Sequence, residues 1–374
     1  MNKLATILMI ILFANTSLSQ NNNYSKLWSD VENFEVEGLP KSALKVLEKI
    51  ETIAKAENNA PQLIKIMLFK SKFMLTLEED AQLNIINAFR AEIKVSQAPT
   101  KNVLENILAT LYWQYFQQNR WKFYNRTKTN EKVDTVDFRT WDLETLFEEV
   151  HTHYKNSLDN GLILQQTSLE NFDFVIDKQK DSRIYRPTLF YFSAHNALII
   201  YQHQESKITR PAYKFSIDDA AYLSPANEYA RLKIKSKDTL SLELNAIKLY
   251  QDLIKFHLKD KAPYALADAN IERLDFVKQH ATFKAKDSVY IAALEAEIEK
   301  HNKHEVSTLY AFKLASILKT QGISYKAETN AEVRWKIKKA IAICDAAISK
   351  SSIHIGHFFC DTKNIRTQPR NKRI

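Results

Sequence analysis

Ten histidines, two cysteines and a few acidic clusters are the groups in this 374-residue chain whose chemistry could matter. His151 and His153 stand two apart and fall on different faces of a helix. His301 with His304, and His354 with His357, have the i, i+3 spacing that shares a helix face. Neither pair has the third ligand nearby that a metal site needs. Glu78-Glu79-Asp80 and Glu148-Glu149 read as helix-surface charge, because a catalytic carboxylate pair is defined by separation in space. No His-Glu-x-x-His, Cys-x-x-Cys, Gly-x-Ser-x-Gly or Walker sequence occurs. The expectation is no catalytic residue, no metal and no cofactor. Cys344 and Cys360, sixteen apart, are candidates for a disulfide in an oxidising compartment, with two free thiols as the alternative.

The densest side-chain pattern is aromatic. Seven aromatics lie between Tyr112 and Tyr124, and Phe138, Trp141 and Phe147 follow soon after. On a helix Tyr112, Tyr115 and Phe116 share one face, which favours a core that locks helices together. The alternative is an exposed peptide- or glycan-binding platform built from Tyr112, Trp113, Trp121, Tyr124 and Trp141.

Those aromatics need helices to hold them. The chain has only four glycines, which disfavours the positive-φ turns of hairpins, P-loops and dinucleotide folds. Leu, Ala, Lys, Glu and Ile dominate instead and suit helices. Of the +9 formal charge, Ser351 to Ile374 supply +4, leaving a mild excess on the body, so no nucleic-acid partner is expected. Residues 1–19 read as a secretory signal: Lys3, an apolar run of 11 residues from Leu4 to Ala14, and small residues at Ser17 and Ser19. That run is too short to span a bilayer, and cleavage is expected between Ser19 and Gln20. The mature chain is then exported, periplasmic or extracellular, with no stable membrane insertion.

From Tyr24 the apolar spacing is helical. Gly38-Leu39-Pro40 and Asn58-Asn59-Ala60-Pro61 break it, glycine at a helix C-terminus and proline in the next first turn. Further helices are predicted over Leu63–Met74, Ala81–Val95, Asn102–Gln118, Leu143–Leu158, Thr188–Tyr201, Leu240–Leu258, Pro263–Gln279, Lys284–His301, Ser307–Thr320 and Glu328–Ser349. Asp142 or Thr140 caps the helix from Leu143, and Gly161 closes it. The fold class is all-α, an array of antiparallel helical hairpins that is tetratricopeptide-like and clearest at the C-terminal end. Residues 20–205 form an N-terminal array, 206–238 an irregular connection, 239–350 a C-terminal array, and 351–374 a basic tail.

Tyr112-Trp113-Gln114-Tyr115-Phe116-Gln117-Gln118-Asn119-Arg120-Trp121, Asn125-Arg126-Thr127, Arg139-Thr140-Trp141-Asp142-Leu143 and Tyr185-Arg186-Pro187-Thr188-Leu189 carry a further pattern. It resembles the N-terminal helical region of large bacterial alpha-2-macroglobulin-like proteins, which are secreted protease traps. The resemblance implies a helical region ahead of β-sandwich macroglobulin domains. Past Cys360 this sequence instead turns polar and basic, so a truncated or stand-alone module without trapping activity is expected.

The functional expectation is a non-catalytic, secreted module that binds protein partners. The alternative is a secreted tetratricopeptide-like protein that binds glycans or peptides, and an all-α hydrolase is a third option. N-terminal sequencing of the exported protein should read Gln20 first; retention of Met1 would remove the signal.

Overall fold

A computed structural model describes residues 24–126, 134–173, 176, 182–203, 214–238 and 241–350. The expected signal with Ser19 and Gln20, the tail 351–374 and Cys360 lie outside them. Among the described residues the chain is all-helical, with two isolated β-bridges and no strand. No helix there is long and apolar enough to cross a membrane. The helices are α1 (24–36), α2 (Pro40–Ala56), α3 (Ala60–Leu77), α4 (Ala81–Val95), α5 (Thr100–Tyr124), α6 (Leu143–Ser157), α7 (Gly161–Gln166), α8 (Ser182–Tyr185), α9 (Leu189–Tyr201), α10 (Ala226–Tyr229), α11 (Leu242–His257), α12 (Tyr264–His280), α13 (Lys286–Lys300), α14 (Ser307–Ile323) and α15 (Lys336–Lys350). Sequence neighbours pack as hairpins, most extensively α5 with α6 and α14 with α15.

Local chemistry sets the breaks. Gly38 takes φ +69° after α1, and Pro40 opens α2. Asn59, Asp142 and Ser241 accept hydrogen bonds from the backbone N–H groups of Gln62, Thr145 and Leu244. Each such cap contributes about 1 kcal/mol. Gly161 does not close α6: Asn160 takes the left-handed conformation at φ 58°, and Gly161 opens α7. The helix expected from Glu328 begins at Lys336 instead. Asn330 Nδ2 donates to Ser324 O (3.1 Å) and Oγ (2.8 Å), and this side-chain competition holds 324–330 as a turn.

The chain divides into two compact units, one of Met1–Lys180 with Thr188–Ala197, the other of Asp181–Pro187 with Leu198–Ile374. The division therefore falls earlier than the connection 206–238, whose described part folds into the second unit. In the first unit α1, α2 and α3 share a core around Val31, Leu47, Ile50 and Ala54. Trp28 closes it edge-on to Phe69 (5.0 Å) and donates Nε1–H to Gln62 Oε1 (2.7 Å).

In the second unit the last hairpin follows the tetratricopeptide-like pattern, with Ala315, Ala340 and Ala347 buried between its helices. Gly322 lies where α14 closely approaches α15. A Cβ there would lie 2.6 Å from Ile337 Cγ1 and 3.0 Å from the Ile337 backbone N. Alanine gains ~1 kcal/mol over glycine in a helix, but overpacking costs about 1–3 kcal/mol. Gly322→Ala should therefore lower the unfolding free energy in urea; an unchanged or higher value would show that α15 yields without strain.

Candidate functional site

The aromatic anchor splits between core and surface. Tyr112, Trp113 and Trp141 are buried, whereas Trp121 and Tyr124 are 66% and 54% exposed. The five therefore do not share one platform. Tyr112 packs on Phe138 (5.4 Å) and Trp141 (5.8 Å), Tyr115 on Phe138 (4.7 Å), and Trp113 on Phe147 (5.6 Å). Each such ring pair adds ~1 kcal/mol to the area it buries. The separation occurs inside α5. Asn119 leaves helical geometry (φ −119°, ψ 21°) and donates Nδ2–H to Tyr115 O at 3.0 Å. Beyond that kink Phe123 returns to the core while Arg120, Trp121, Lys122 and Tyr124 face solvent.

Beside the rings runs a chain of charges. His153 Nδ1 bonds to Glu105, its Nε2 lies 3.4 Å from Glu149, and Arg90 is 3.9 Å from the same carboxylate. The imidazole stacks on Tyr112 at 5.7 Å, and the Arg90 guanidinium lies over Trp141 at 4.9 Å. Burial is the largest influence on His153 and pulls its pKa down, but hydrogen bonds and attraction from Glu105 and Glu149 outweigh it, so the net shift is upward. Burial pushes the Tyr112 hydroxyl well above its usual range and keeps it neutral. The Glu105 and His153 side chains are 4% and 14% exposed, so this acid–base pair acts as internal charge pairing.

A polar spine along α5 adds to it. Asn102 donates to Asp159 O (2.8 Å) and also reaches the Asn156 and Ser157 carbonyls at the end of α6. Asn106 donates to Ser157 Oγ and Ser193 O, both at 3.2 Å, and accepts from Asn196 at 2.8 Å. Thr110 meets the Tyr154 hydroxyl at 3.0 Å.

The second unit has its own internal ion. Arg273 is fully buried on α12. It donates to Tyr222 O (2.7 Å), Ser224 O (3.0 Å) and Asn270 Oδ1 (2.5 Å), and lies over the Tyr229 ring at 4.4 Å. Burial lowers its pKa to about 10, still charged at neutral pH. Asn270 continues the network to the Tyr310 hydroxyl (3.1 Å), and Tyr310 stacks on His301 (6.2 Å), which lies 3.5 Å from Glu297. Burial raises the Glu297 pKa, but His301, Lys300 and the Ala226 backbone outweigh it and the net shift is downward.

The remaining candidates are placed as follows. His304 accepts from Val306 N (3.2 Å) and meets Tyr264 edge-on; Glu148 is exposed; Asp80 pairs with Arg139. His354 and His357 lie outside the described residues. Cys344 is buried on α15. Asn102, Glu105, Asn106 and Arg273 were not flagged by their residue type. Their signal is spacing: Asn102, Asn106 and Thr110 repeat every fourth residue, and Arg273 continues the face of Ala265 and Ala269.

A second surface lies at the tip of the last hairpin. Ile323 and Trp335 flank the turn between α14 and α15 and, with Tyr325, are exposed, Trp335 at 63%. The Arg334 guanidinium sits 4.7 Å from the Trp335 ring, with Lys338 at 5.9 Å.

The charge chain has a pH signature. A histidine whose pKa is raised by folding stabilises fully below its unfolded value of about 6.5, and that stabilisation is lost as pH rises through the folded value. The gap in urea midpoint between wild type and His153→Gln should be wider near pH ~5.5 than near ~8.5; equal gaps would remove this role. Comparison of the chain with protein-family models, curated proteins and solved structures gives no match.

Proposed function

We propose that the chain is a non-catalytic helical scaffold that binds protein partners. The supporting observation is the tip of the α14–α15 hairpin, where Trp335 and Tyr325 are exposed and the Arg334 guanidinium lies over the Trp335 ring. Trp, Tyr and Arg are the residues that dominate binding energy in protein interfaces. The buried charged groups Glu105, Arg273 and Glu297, by contrast, are used in internal pairing. On this reading the protein is exported through its N-terminal signal. Its likeness to the helical region of alpha-2-macroglobulin-like proteins rests on the sequence motifs alone, and no trapping activity of its own is assigned.

A glycan- or peptide-binding role is the second reading. It is favoured by Trp121, whose exposed indole carries Lys122 Nζ at 5.4 Å and could stack on a sugar ring.

The two readings separate on paired variants. Exposed positions change stability by about 0.5 kcal/mol or less, so Tyr325→Ala/Trp335→Ala and Trp121→Ala/Tyr124→Ala should both keep wild-type helix content and Tm. Tagged wild-type protein should retain a reproducible set of proteins from an extract of its export compartment. The Tyr325/Trp335 variant should lose that set, while the Trp121/Tyr124 variant keeps it. Identical recovery by all three would remove the tip as a partner surface, and loss of oligosaccharide binding in the Trp121/Tyr124 variant would favour the second reading.

A further inference from the structure

In the second unit, Arg231-Leu232-Lys233-Ile234-Lys235-Ser236-Lys237 runs between α10 and α11 without helix or turn over most of its length. Exposure alternates along it. Arg231, Lys233, Lys235 and Lys237 are exposed, and Leu232, Ile234 and Ser236 are half-buried. A period of two is the signature of an extended chain with one face packed and the other in water.

Both ends are tied down. Gln251 on α11 donates to Tyr229 O and Leu232 O, each at 2.9 Å. At the other end Asp238 is buried, and its Oδ2 accepts from Phe215 N at 2.9 Å. Between these ties the backbone N–H and C=O groups of Lys233, Ile234 and Lys235 meet no hydrogen-bond partner among the described residues. Arg231, Lys233 and Lys235 make no ion pair there either. The one acid in the segment, Asp238, is buried and engaged. The result is a fixed, open edge whose outer face is cationic at every second residue.

We propose that this edge takes an acidic peptide in extended conformation as an added strand. The proposal deepens the scaffold reading and rests on it, by giving the partner a chemistry. Extended chains rise about 3.3 Å per residue, so alternate side chains stand ~6.6 Å apart on both partners. An incoming segment with Asp or Glu at alternate positions therefore places one carboxylate opposite each of Arg231, Lys233 and Lys235, in register. Its main chain supplies hydrogen bonds to Lys233 and Lys235, whose N–H and C=O groups share one edge of an extended chain, the way strand addition generates affinity. A single-stranded nucleic acid fits less well. It needs exposed rings for its bases, and the neighbouring Tyr229 is fully buried with its hydroxyl on Ile247 O. A membrane surface fits less well too, because no large hydrophobic residue is exposed among the described residues between 214 and 257.

The test uses the full chain and four fluorescent or competing probes: a twelve-residue peptide alternating Glu and Thr, an isomer with the glutamates in one block, the alternating peptide N-methylated at every second amide, and a dT oligonucleotide. Vesicles of phosphatidylserine and phosphatidylcholine form a fifth arm. The alternating peptide should bind, weaken with added salt, and lose roughly tenfold or more in affinity to Lys233→Glu/Lys235→Glu, whose exposed positions leave folding unchanged. The block isomer and the N-methylated peptide should both bind several-fold more weakly. Equal binding of either peptide, tighter binding of the oligonucleotide or the vesicles, or no binding of the alternating peptide would each overturn the proposal. If the alternating peptide fails while partner capture still depends on Tyr325 and Trp335, the strand-addition inference falls and the scaffold reading stands.

Discussion

A guanidinium cut off from water must find oxygen acceptors inside the protein, and Arg273 finds three. Two are main-chain carbonyls, at Tyr222 and Ser224, in a stretch with only a 3-10 turn of its own. Leaving such a charge unpaired costs about 3–5 kcal/mol. The same constraint thus works in both directions. It holds the irregular residues against α12, and it makes their path a condition of burying the arginine. Glu297 on α13 feels the Ala226 backbone, which helps to lower its pKa, and Gln251 on α11 donates to Tyr229 O and Leu232 O. Residues 214–238 are ordered by polar side chains on three helices more than by any regular structure within them.

The first unit solves a related problem differently. Its long helix α5 carries aromatics toward Phe138, Trp141 and Phe147 and polar groups toward the end of α6. The rings supply apolar area; Asn102, Asn106 and Thr110 then fix register, because a one-residue slip would leave their buried amides and hydroxyl without partners. His153, between two carboxylates, does the same for the pairing of α6 with α5.

How far the sequence could be read follows from which forces are local. Gly38, Pro40 and Asp142 act within one turn, and their roles were legible as residue type plus position. So was the close packing of Ala315, Ala340 and Ala347, since small residues at helical spacing have few other uses. The start of α15 was missed because Asn330 looks like an acceptable helix residue until its side chain is seen to hold Ser324. The buried charges were missed for the opposite reason. Glu105 and Arg273 look like solvated residues, and their burial rests chiefly on partners far along the chain, His153 for the first and the Tyr222 and Ser224 carbonyls for the second. The division of the candidate aromatics into three buried and two exposed depended on the single non-helical residue, Asn119, which no periodicity announces.

That one residue lets α5 carry two unrelated duties. Before Asn119 the side chains are held by the rings of α6 and of the turn at Phe138; after it, Arg120, Trp121, Lys122 and Tyr124 are exposed, while Phe123 packs on Tyr115 and Tyr124 meets Phe116 edge-on at 6.4 Å. The outer turn is thereby attached to the rest of its helix by one edge only, through Phe123 and the rim of Tyr124. Trp121 and Lys122 stand outside the ring cluster, and a lineage could retune what is recognised there without renegotiating the stability of the interior.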